Sequence, residues 1–597
     1  MSLQVWLTGN NSMNNQGLLG ELTQTTAPTY VDGKLGKAMS TGGYKMTAEQ
    51  TAQVLNNEAV SICFWVYINA DTGTNAQVLF FGNDDMGSNN NRKFTLFNYP
   101  TVNDFHWSWM SDTASYPFTY GILSGVLPSY KWTHVAITYQ NPNGTIYING
   151  EKIYTFTGVS DSSTFAYETP VIHNSSYLRW NDYRIYNHCL SAKEVKEISK
   201  GLVCHYKLSD PYLESTTNLA VKDGVSGWNN SGNSTLSSSD TTLNSSKPIL
   251  DCPIYSIIET SAGNSALTFS HISASQIAGK TITASTWVWI SENTSSMIIY
   301  IRSSKSDNSI FHLCYNGNDN PQKWPKEKWI YIEGTGTVAS DETYVYFCTY
   351  ANNLNEKRAF NGWQIEVKDH ATPYVNGSRN ETIVSDCSGF GNDGTKVGDI
   401  AWNGDSPRYN GSYKFPTTAC IDCGTGGKVK DEITVSIWCN MDTLVTEPRL
   451  ISCTESGGWN FESNNGKIQF PVYVDSGYII VTSSKLWTDL ASGWHMFTGT
   501  YDGYNAKLYI DGELDKTTSN GKSNKTGIGY NSTNHIYIHA EASDNSYYPG
   551  YNECNLSDCR IYATALSAED VKELYNVSAS IYKSGALAAY EFVEEGC

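Results

Sequence analysis

Asn181-Asp-Tyr-Arg-Ile-Tyr-Asn-His-Cys-Leu-Ser-Ala-Lys-Glu-Val195 and Ser557-Asp-Cys-Arg-Ile-Tyr-Ala-Thr-Ala-Leu-Ser-Ala-Glu-Asp-Val571 are two copies of one phrase. Working backwards from each, the same landmarks return in the same order, which marks the chain as a repeat of one module. Trp132-Thr-His-Val-Ala-Ile-Thr-Tyr139 precedes Thr145-Ile-Tyr-Ile-Asn-Gly-Glu151, and Trp494-His-Met-Phe-Thr-Gly-Thr-Tyr501 precedes Lys507-Leu-Tyr-Ile-Asp-Gly-Glu513. Further back, Val60-Ser-Ile-Cys-Phe-Trp-Val66 answers to Thr434-Val-Ser-Ile-Trp-Cys439. In Trp132 to Tyr139 apolar and polar residues largely alternate, the period of a strand with one buried face. Asn149-Gly150 and Asp511-Gly512 supply the positive backbone dihedrals of tight hairpins. Ser191 three residues before Glu194 is a capping box, repeated by Ser567 and Asp570, so one short helix closes each copy, and Gly201 stops the first.

This ordered set resembles the laminin-G-like, concanavalin-A-like jelly rolls. The resemblance covers 1–200 and most of 379–597, and it implies two packed antiparallel sheets per module with a frequent role in binding sugars or proteins. Gly201-Leu-Val-Cys-His-Tyr-Lys-Leu-Ser-Asp210 reads as the opening strand of the second copy, yet the turn that should follow, Asp386-Cys-Ser-Gly-Phe-Gly-Asn-Asp-Gly-Thr395, arrives about 175 residues late. An insert of 216–378 lies between them, with its own Trp strand, Ile282-Thr-Ala-Ser-Thr-Trp-Val-Trp-Ile290, and its own final strand, Asn361-Gly-Trp-Gln-Ile-Glu-Val367. It is long enough for a separate core. Its order of elements resembles the carbohydrate-binding modules of the xylanase-associated type, and Gln364-Ile-Glu-Val-Lys-Asp-His-Ala-Thr-Pro-Tyr374 is similar to a phrase common in bacteriophage tail and minor structural proteins.

The fold expected is therefore all-β, three β-sandwich domains: 1–200, 201–215 with 379–597, and the inserted 216–378. Composition agrees, because 40 Tyr, 17 Trp and 49 Gly with only 17% charged residues favour strands and turns over long charged helices. A net charge of −19 with no basic stripe argues against a nucleic-acid partner. No stretch approaches the ~18 uninterrupted apolar residues of a membrane helix, and the N-terminus carries no basic, then apolar, then small-residue signal. The expectation is a protein made and folded in a host cytoplasm. Several of the 14 cysteines fall inside strands (Cys63, Cys204, Cys314, Cys348, Cys439), where a thiol serves as a small hydrophobe. Cys420 and Cys423 form the single Cys-x-x-Cys, with no partner pair at zinc spacing.

No catalytic set is legible. Glycoside hydrolases of jelly-roll form carry Glu-x-Asp-x-x-Glu on one strand; Glu513-Leu-Asp515 has two of these carboxylates but flanks a hairpin. There is no Gly-x-Ser-x-Gly elbow and no His-Glu-x-x-His. His134 and His495 occupy matching positions beside a strand Trp, which points to packing. For binding, aromatic faces are the signal, since they stack on pyranose rings. The candidates are Trp107 and Trp109 in Phe105-His-Trp-Ser-Trp109, read as a loop; Trp228, Trp289 and Trp324 in the insert; and Tyr547, Tyr548 and Tyr551 in a second Tyr-rich loop. Trp287 and Trp289 share one strand face, and Trp287 is expected in the core, like Trp65 and Trp438.

The resemblance further implies a structural calcium ion held by Asp182 in the first copy and by Asp558, Asp386 and Asp393 in the second, since hard oxygen ligands suit Ca²⁺. The alternative for Asp182 and Asp558 is a pairing with Arg184 and Arg560 at a sheet rim. Finally, Gly585-Ala-Leu-Ala-Ala-Tyr-Glu-Phe592 matches Gly201-Leu-Val-Cys-His-Tyr-Lys-Leu208 and reads as one further strand. It pairs either within its own module or on a neighbouring subunit, the latter making a homo-oligomer such as a trimer. The reading is a non-enzymatic bacteriophage virion component (tail fibre, baseplate-associated or head fibre) that binds host-surface glycans and other virion proteins, without membrane insertion. A purely structural virion protein and a polysaccharide-degrading glycosidase are the alternatives.

Overall fold

A computed structural model describes residues 3–584, apart from 9–14, 56–58, 70–75, 83–91, 100–103, 111–117, 158–168, 173–176, 221–227, 231–233, 238–239, 250–253, 261–264, 295–296, 304–308, 315–323, 352–353, 376–377, 410, 442–448, 455, 544–545 and 550–552. The chain divides into two compact units, 1–209 with 383–597, and 210–382. All three sandwiches are antiparallel, and helices are few.

The first unit holds both copies. In the first copy a nine-stranded sheet runs Glu151–Thr157, Asn143–Ile148, Trp132–Gln140, Ala59–Ile68, Leu178–Tyr186, Lys37–Met46, Thr169–Ile172, with Leu3–Leu7 added to Leu178–Tyr186 and Thr23–Asp32 to Lys37–Met46. A four-stranded sheet, Ala76–Gly82, Arg92–Tyr99, Asp104–Met110 and Phe118–Ser124, supplies Phe105 and Trp107 to the same core as Val5, Leu7, Phe64, Trp180 and Tyr183. Phe64 stacks on Tyr183 at 5.6 Å and meets Trp180 edge-on at 5.4 Å, the offset and T-shaped geometries that aromatic quadrupoles favour.

The second copy repeats this plan. One eight-stranded sheet runs Ala401–Asn403, Ser412–Phe415, Cys554–Tyr562, Ile433–Asn440, His495–Tyr501, Asn505–Ile510, Glu513–Ser519, with Leu202–Tyr206 added to Cys554–Tyr562. Leu202–Tyr206 thus joins the second copy from far back in the sequence, the position that Leu3–Leu7 takes in the first. The other sheet runs Ile383–Val384, Gly394–Val397, Cys420–Asp422, Tyr537–Ile538, Ile451–Ser452, Asn460–Asn464, Lys467–Val474, Gly477–Thr482.

Local chemistry places the turns. Asn149 (φ 51°) and Gly150 (φ 82°), like Asp511 (φ 52°) and Gly512 (φ 80°), take the two left-handed positions of a type I′ hairpin. Ser191 Oγ accepts from Glu194 N while Glu194 Oε2 accepts from Ser191 N, so the box caps the helix Ala192–Ser199; Ser567 and Asp570 do the same at Ala568–Ser584. The described cysteines are all free and most are buried, Cys420 and Cys423 among them.

The second unit packs two five-stranded sheets. One runs Trp228–Asn230, Ser265–Ser273, Tyr344–Ala351, Met297–Ser303, Ser309–Cys314; the other runs Ser234–Ser237, Ile254–Glu259, Lys357–Glu366, Thr281–Ile290, Trp329–Thr337. Val288, Ile290, Phe347, Phe360 and Trp363 fill the core between them. Since Val288 and Ile290 point inward, alternation turns Trp287 outward, contrary to the core position expected for it.

Candidate functional site

The aromatic candidates fare unequally. Phe105-His-Trp-Ser-Trp109 is a strand, not a loop. Trp107 is 1% exposed and packs on Phe156 at 4.5 Å, so its ring has no face to offer a sugar. Trp109 lies on the same strand opposite Phe94 and Thr119, and Trp228 pairs with Phe269; their side-chain surroundings fall outside the described residues. Trp289 is 9% exposed, covered by Leu243 and by Lys357, whose ammonium stands 5.6 Å from the ring, and Trp324 packs against the core. Tyr547 and Tyr548 belong to a hairpin strand, Ser546–Pro549, rather than to a loop, and Tyr551 lies outside the described residues. Trp287, expected in the core, instead reaches the surface of this unit beside Tyr331. Trp287 and Tyr331 stand opposite each other with ring centroids 5.4 Å apart, and Tyr331 is 42% exposed.

The metal candidates are spent on the chain's own donors. Asp182 and Asp558 sit in left-handed bulges (φ 53° and 43°), which lets each carboxylate turn to the arginine two residues on: Arg184 Nε and Arg560 Nε each donate to Oδ1 at 2.7 Å. Trp6 Nε1 donates to Asp182 Oδ1 at 2.8 Å, and at the matching place in the second copy His205 Nε2 lies 3.1 Å from Asp558 Oδ1. Burial pushes the Asp558 carboxyl up, but Arg560, Arg408 and His205 hold it well below the usual carboxylate range. The Asp386 carboxylate accepts from the backbone of His205, Ser388 and Asn392 and from the Ser388 hydroxyl, making it the keystone of its turn, while Asp393 accepts from Asp386 N. Among the described residues no three His, Cys, Asp or Glu side chains gather as a metal site requires. The donor set does not fit calcium, because a divalent ion at Asp558 would have to displace two guanidinium groups.

A different set of polar residues converges on the second sheet of the second copy. Phe461 points into the sandwich, where it meets Phe470 at 5.0 Å, so its neighbours Asn460 and Glu462 face outward. Ladder register extends this outer row: Ser452 stands opposite Asn460 and Tyr537, Asp422 opposite Tyr537, and Gln469 opposite Glu462 and Thr482. Leu450 N donates to Phe461 O and His539 N to Leu450 O, which fixes Arg449 between the strand Asn460–Asn464 and the start of the hairpin Ala540–Ser543. Arg449 Nε donates to Glu541 Oε2 at 2.7 Å and Nη1 to Glu462 Oε2 at 3.1 Å. The Thr454 hydroxyl donates to Glu541 Oε1 at 3.0 Å, and Asn460 Nδ2 to Glu462 Oε2 at 3.2 Å. Tyr548 stands opposite Glu541 in the hairpin register, and its side chain lies outside the described residues. Beside it along the sheet, His535 Nδ1 holds Asp422 at 2.8 Å and its ring stacks on Tyr537 at 6.0 Å.

Carboxylate and amide acceptors beside a guanidinium are the polar chemistry that a polyhydroxyl ligand can meet. Asn460 Oδ1 is buried with no hydrogen-bond partner, an acceptor that the cluster leaves unsatisfied. Sequence reading missed Arg449, Thr454, Asn460, Glu462 and Glu541. The alternation in Asn460-Phe-Glu-Ser-Asn464 shows a polar face, but nothing in the sequence shows that positions 92 residues apart close around it.

A family model described as the concanavalin A-like lectin/glucanases superfamily, Laminin_G_3, matches residues 40–196 and 417–572, just over half of the chain and all of the Arg449 cluster. No curated protein matches the sequence. Among solved structures the chain is similar to the binding domain of Paraclostridial Mosquitocidal Protein 1, at 18% identity over 32% of this chain and 49% of that one, with a TM-score of 0.27. This chain thus spans about half the length of that structure. It is also similar to domain 4 of AbnA, a GH43 extracellular arabinanase from Geobacillus stearothermophilus, in complex with arabinotriose (17% identity, 32% and 92% covered, TM-score 0.26). A third is Ruminococcus gnavus IT-sialidase CBM40 bound to α2,3-sialyllactose (14% identity, 30% and 97% covered, TM-score 0.23).

Proposed function

Because the chain belongs to the concanavalin A-like lectin/glucanase superfamily, we propose that it is a non-enzymatic glycan-binding protein whose second jelly roll holds the sugar at the Arg449 cluster. The observation that carries this is the outward-facing cluster of Arg449, Glu462, Glu541, Thr454 and Asn460, with Asn460 Oδ1 buried and unpartnered. A buried acceptor without a donor costs about 1–3 kcal/mol unless a ligand or water supplies one. Both carboxylates accept from one guanidinium, an arrangement suited to binding; hydrolysis by a carboxyl pair requires one of the two to deliver a proton. The outward Trp287–Tyr331 pair gives the inserted unit an aromatic face of its own for stacking.

The biological setting we propose is a bacteriophage virion, as a tail-fibre, baseplate-associated or head-fibre component that attaches to host-surface glycans and to other virion proteins. Its support is the resemblance of the 364–374 phrase to phage structural proteins. The test is a glycan array and whole bacterial cells, probed with the wild type and with Arg449→Met. Saturable binding that the variant loses is expected; equal binding by both proteins moves the site elsewhere. No binding to any glycan or cell turns the reading to a structural virion protein, and release of reducing ends from a bound polysaccharide turns it to a glycosidase.

A further inference from the structure

Gly477–Thr482, the outermost strand of the second sheet in the second copy, ends that sheet without the guards that exposed edges ordinarily carry. Gly477-Tyr-Ile-Ile-Val-Thr482 has no charge and no proline, and its pairing with Lys467–Val474 runs without a bulge; native edges are usually blunted by one of these. The outermost strand of the other sheet, Glu513–Ser519, does carry such residues in Glu513, Asp515 and Lys516. Ladder phase fixes which groups are bare. Ser483 N donates inward to Ile468 O at 2.8 Å, so Gly477, Ile479 and Val481 also bond to the neighbouring strand, while Tyr478, Ile480 and Thr482 turn their backbone groups outward. Pro471, which has no N–H, accordingly sits opposite Ile480. The next outward N–H, that of Ser484, is capped by Asp515 Oδ2 at 2.7 Å, whereas among the described residues no strand pairs with the outer side of Ile480 or Thr482. Side chains alternate on the same period: Ile479 and Val481 are buried, and Tyr478 and Ile480 are 41% and 44% exposed.

We propose that this edge pairs with the same edge of a second copy of the chain, antiparallel across a two-fold axis at Ile480, which joins two sheets into one. Identical strands fit each other only in registers that set an outward residue against an outward residue. Centring on Ile480 uses all three, Ile480 against Ile480 and Tyr478 against Thr482, for about six backbone hydrogen bonds. The two exposed Ile480 side chains then cover each other as a cross-strand pair. The same register brings complementary charges together, because Asp475 falls opposite Lys485 of the second copy at both ends. Lys485 is exposed and has no carboxylate partner among the described residues, and Asp475 reaches Lys522 at 3.4 Å in a pair that is half exposed. Between those ends the strands are uncharged, so even in a chain of net charge −19 no like charges meet along the ladder. Thr482 shares the outer face of the sheet with Glu462 and Asn460, so the pairing puts the Arg449 clusters of both copies on one continuous face. That makes the proposed glycan surface bivalent, although the pairing itself does not depend on that reading.

Sedimentation equilibrium of the full chain tests the pairing. The wild type is expected to show a monomer–dimer equilibrium, and Ile480→Lys to stay monomeric with an unchanged circular-dichroism melt. Lys485→Asp should weaken dimerisation at least about tenfold, and adding Asp475→Lys to it should restore the wild-type constant to within about threefold, a rescue that a folding defect would not give. A wild type that is monomeric at every concentration overturns the proposal. So does a dimer that Ile480→Lys leaves as strong as wild type, a trimer that dissociates when residues 585–597 are removed, or a charge exchange that restores nothing.

Discussion

Two histidines at one position of the repeat show how far a residue's chemistry is set by its surroundings. His134 is fully buried against the Trp65 ring at 5.3 Å with both ring nitrogens unpartnered, and burial, with a smaller push from Arg184, takes it down to about 3. The unfolded chain therefore binds a proton near 6.5 that the native protein refuses, so stability from this group falls as pH drops from about 6.5 towards 3, by up to ~1.4 kcal/mol per pH unit. Denaturant midpoints at pH 7 and pH 4.5 should move apart less for His134→Gln than for wild type. His495 has the opposite sign. Burial pulls it down, but Asp511 at 2.8 Å and the Ala491 carbonyl at 2.6 Å outweigh that and raise it. Its contribution is complete below the ordinary value of 6.5 and is lost as pH rises through the raised value, so Asp511→Asn should destabilise more at pH 6 than at pH 8.5 in the same assay. Sequence reading assigned both rings to packing. The asymmetry was not legible, because it depends on which acceptor a turn elsewhere presents to the ring.

At the scale of elements, patterns local to a few residues were read correctly and patterns that depend on a distant neighbour were not. The Asn-Gly and Asp-Gly hairpins and the Ser-x-x-Glu cap form as the residues require, since their partners lie within three positions. Ser191→Ala should cost about 1 kcal/mol, seen as a lower melting midpoint. Phe105 to Trp109 and Tyr547 to Tyr548, expected as loops, are strands paired with partners such as Phe94 and Glu541. The turn Asp386 to Asp393 has a further task, for Gly389 (φ 80°) lets the Trp6 ring lie directly on it, and Trp6 meets Phe390 edge-on at 6.0 Å. A Cβ at Gly389 would fall 1.8 Å from that ring. Gly389→Ala therefore combines a strained backbone with overpacking and should destabilise by about 2 kcal/mol or more, measured by chemical denaturation.

At the scale of the whole molecule, the two compact units have separate cores and separate hydrogen-bonded sheets. A fragment spanning 210–382 should therefore fold alone and melt cooperatively by circular dichroism; a fragment without a cooperative transition would refute its independence. Since the carboxylates once expected to hold calcium are engaged by arginine, histidine and backbone donors, a chelator should leave the melting of the full chain unchanged. By itself the sequence determined the all-β class, the duplication, the interruption between Asp210 and Asp386, and the hairpins and caps, because each of these is written in spacing along the chain or in residues that interact within a turn. Tertiary structure alone decided which Trp faces outward, that Asp182 and Asp558 belong to arginines, and that Arg449, Glu462 and Glu541 meet. A strand's alternation says that it has two faces but not which one the opposing sheet will cover, and side chains tens of residues apart become neighbours only through the register of the ladders between them.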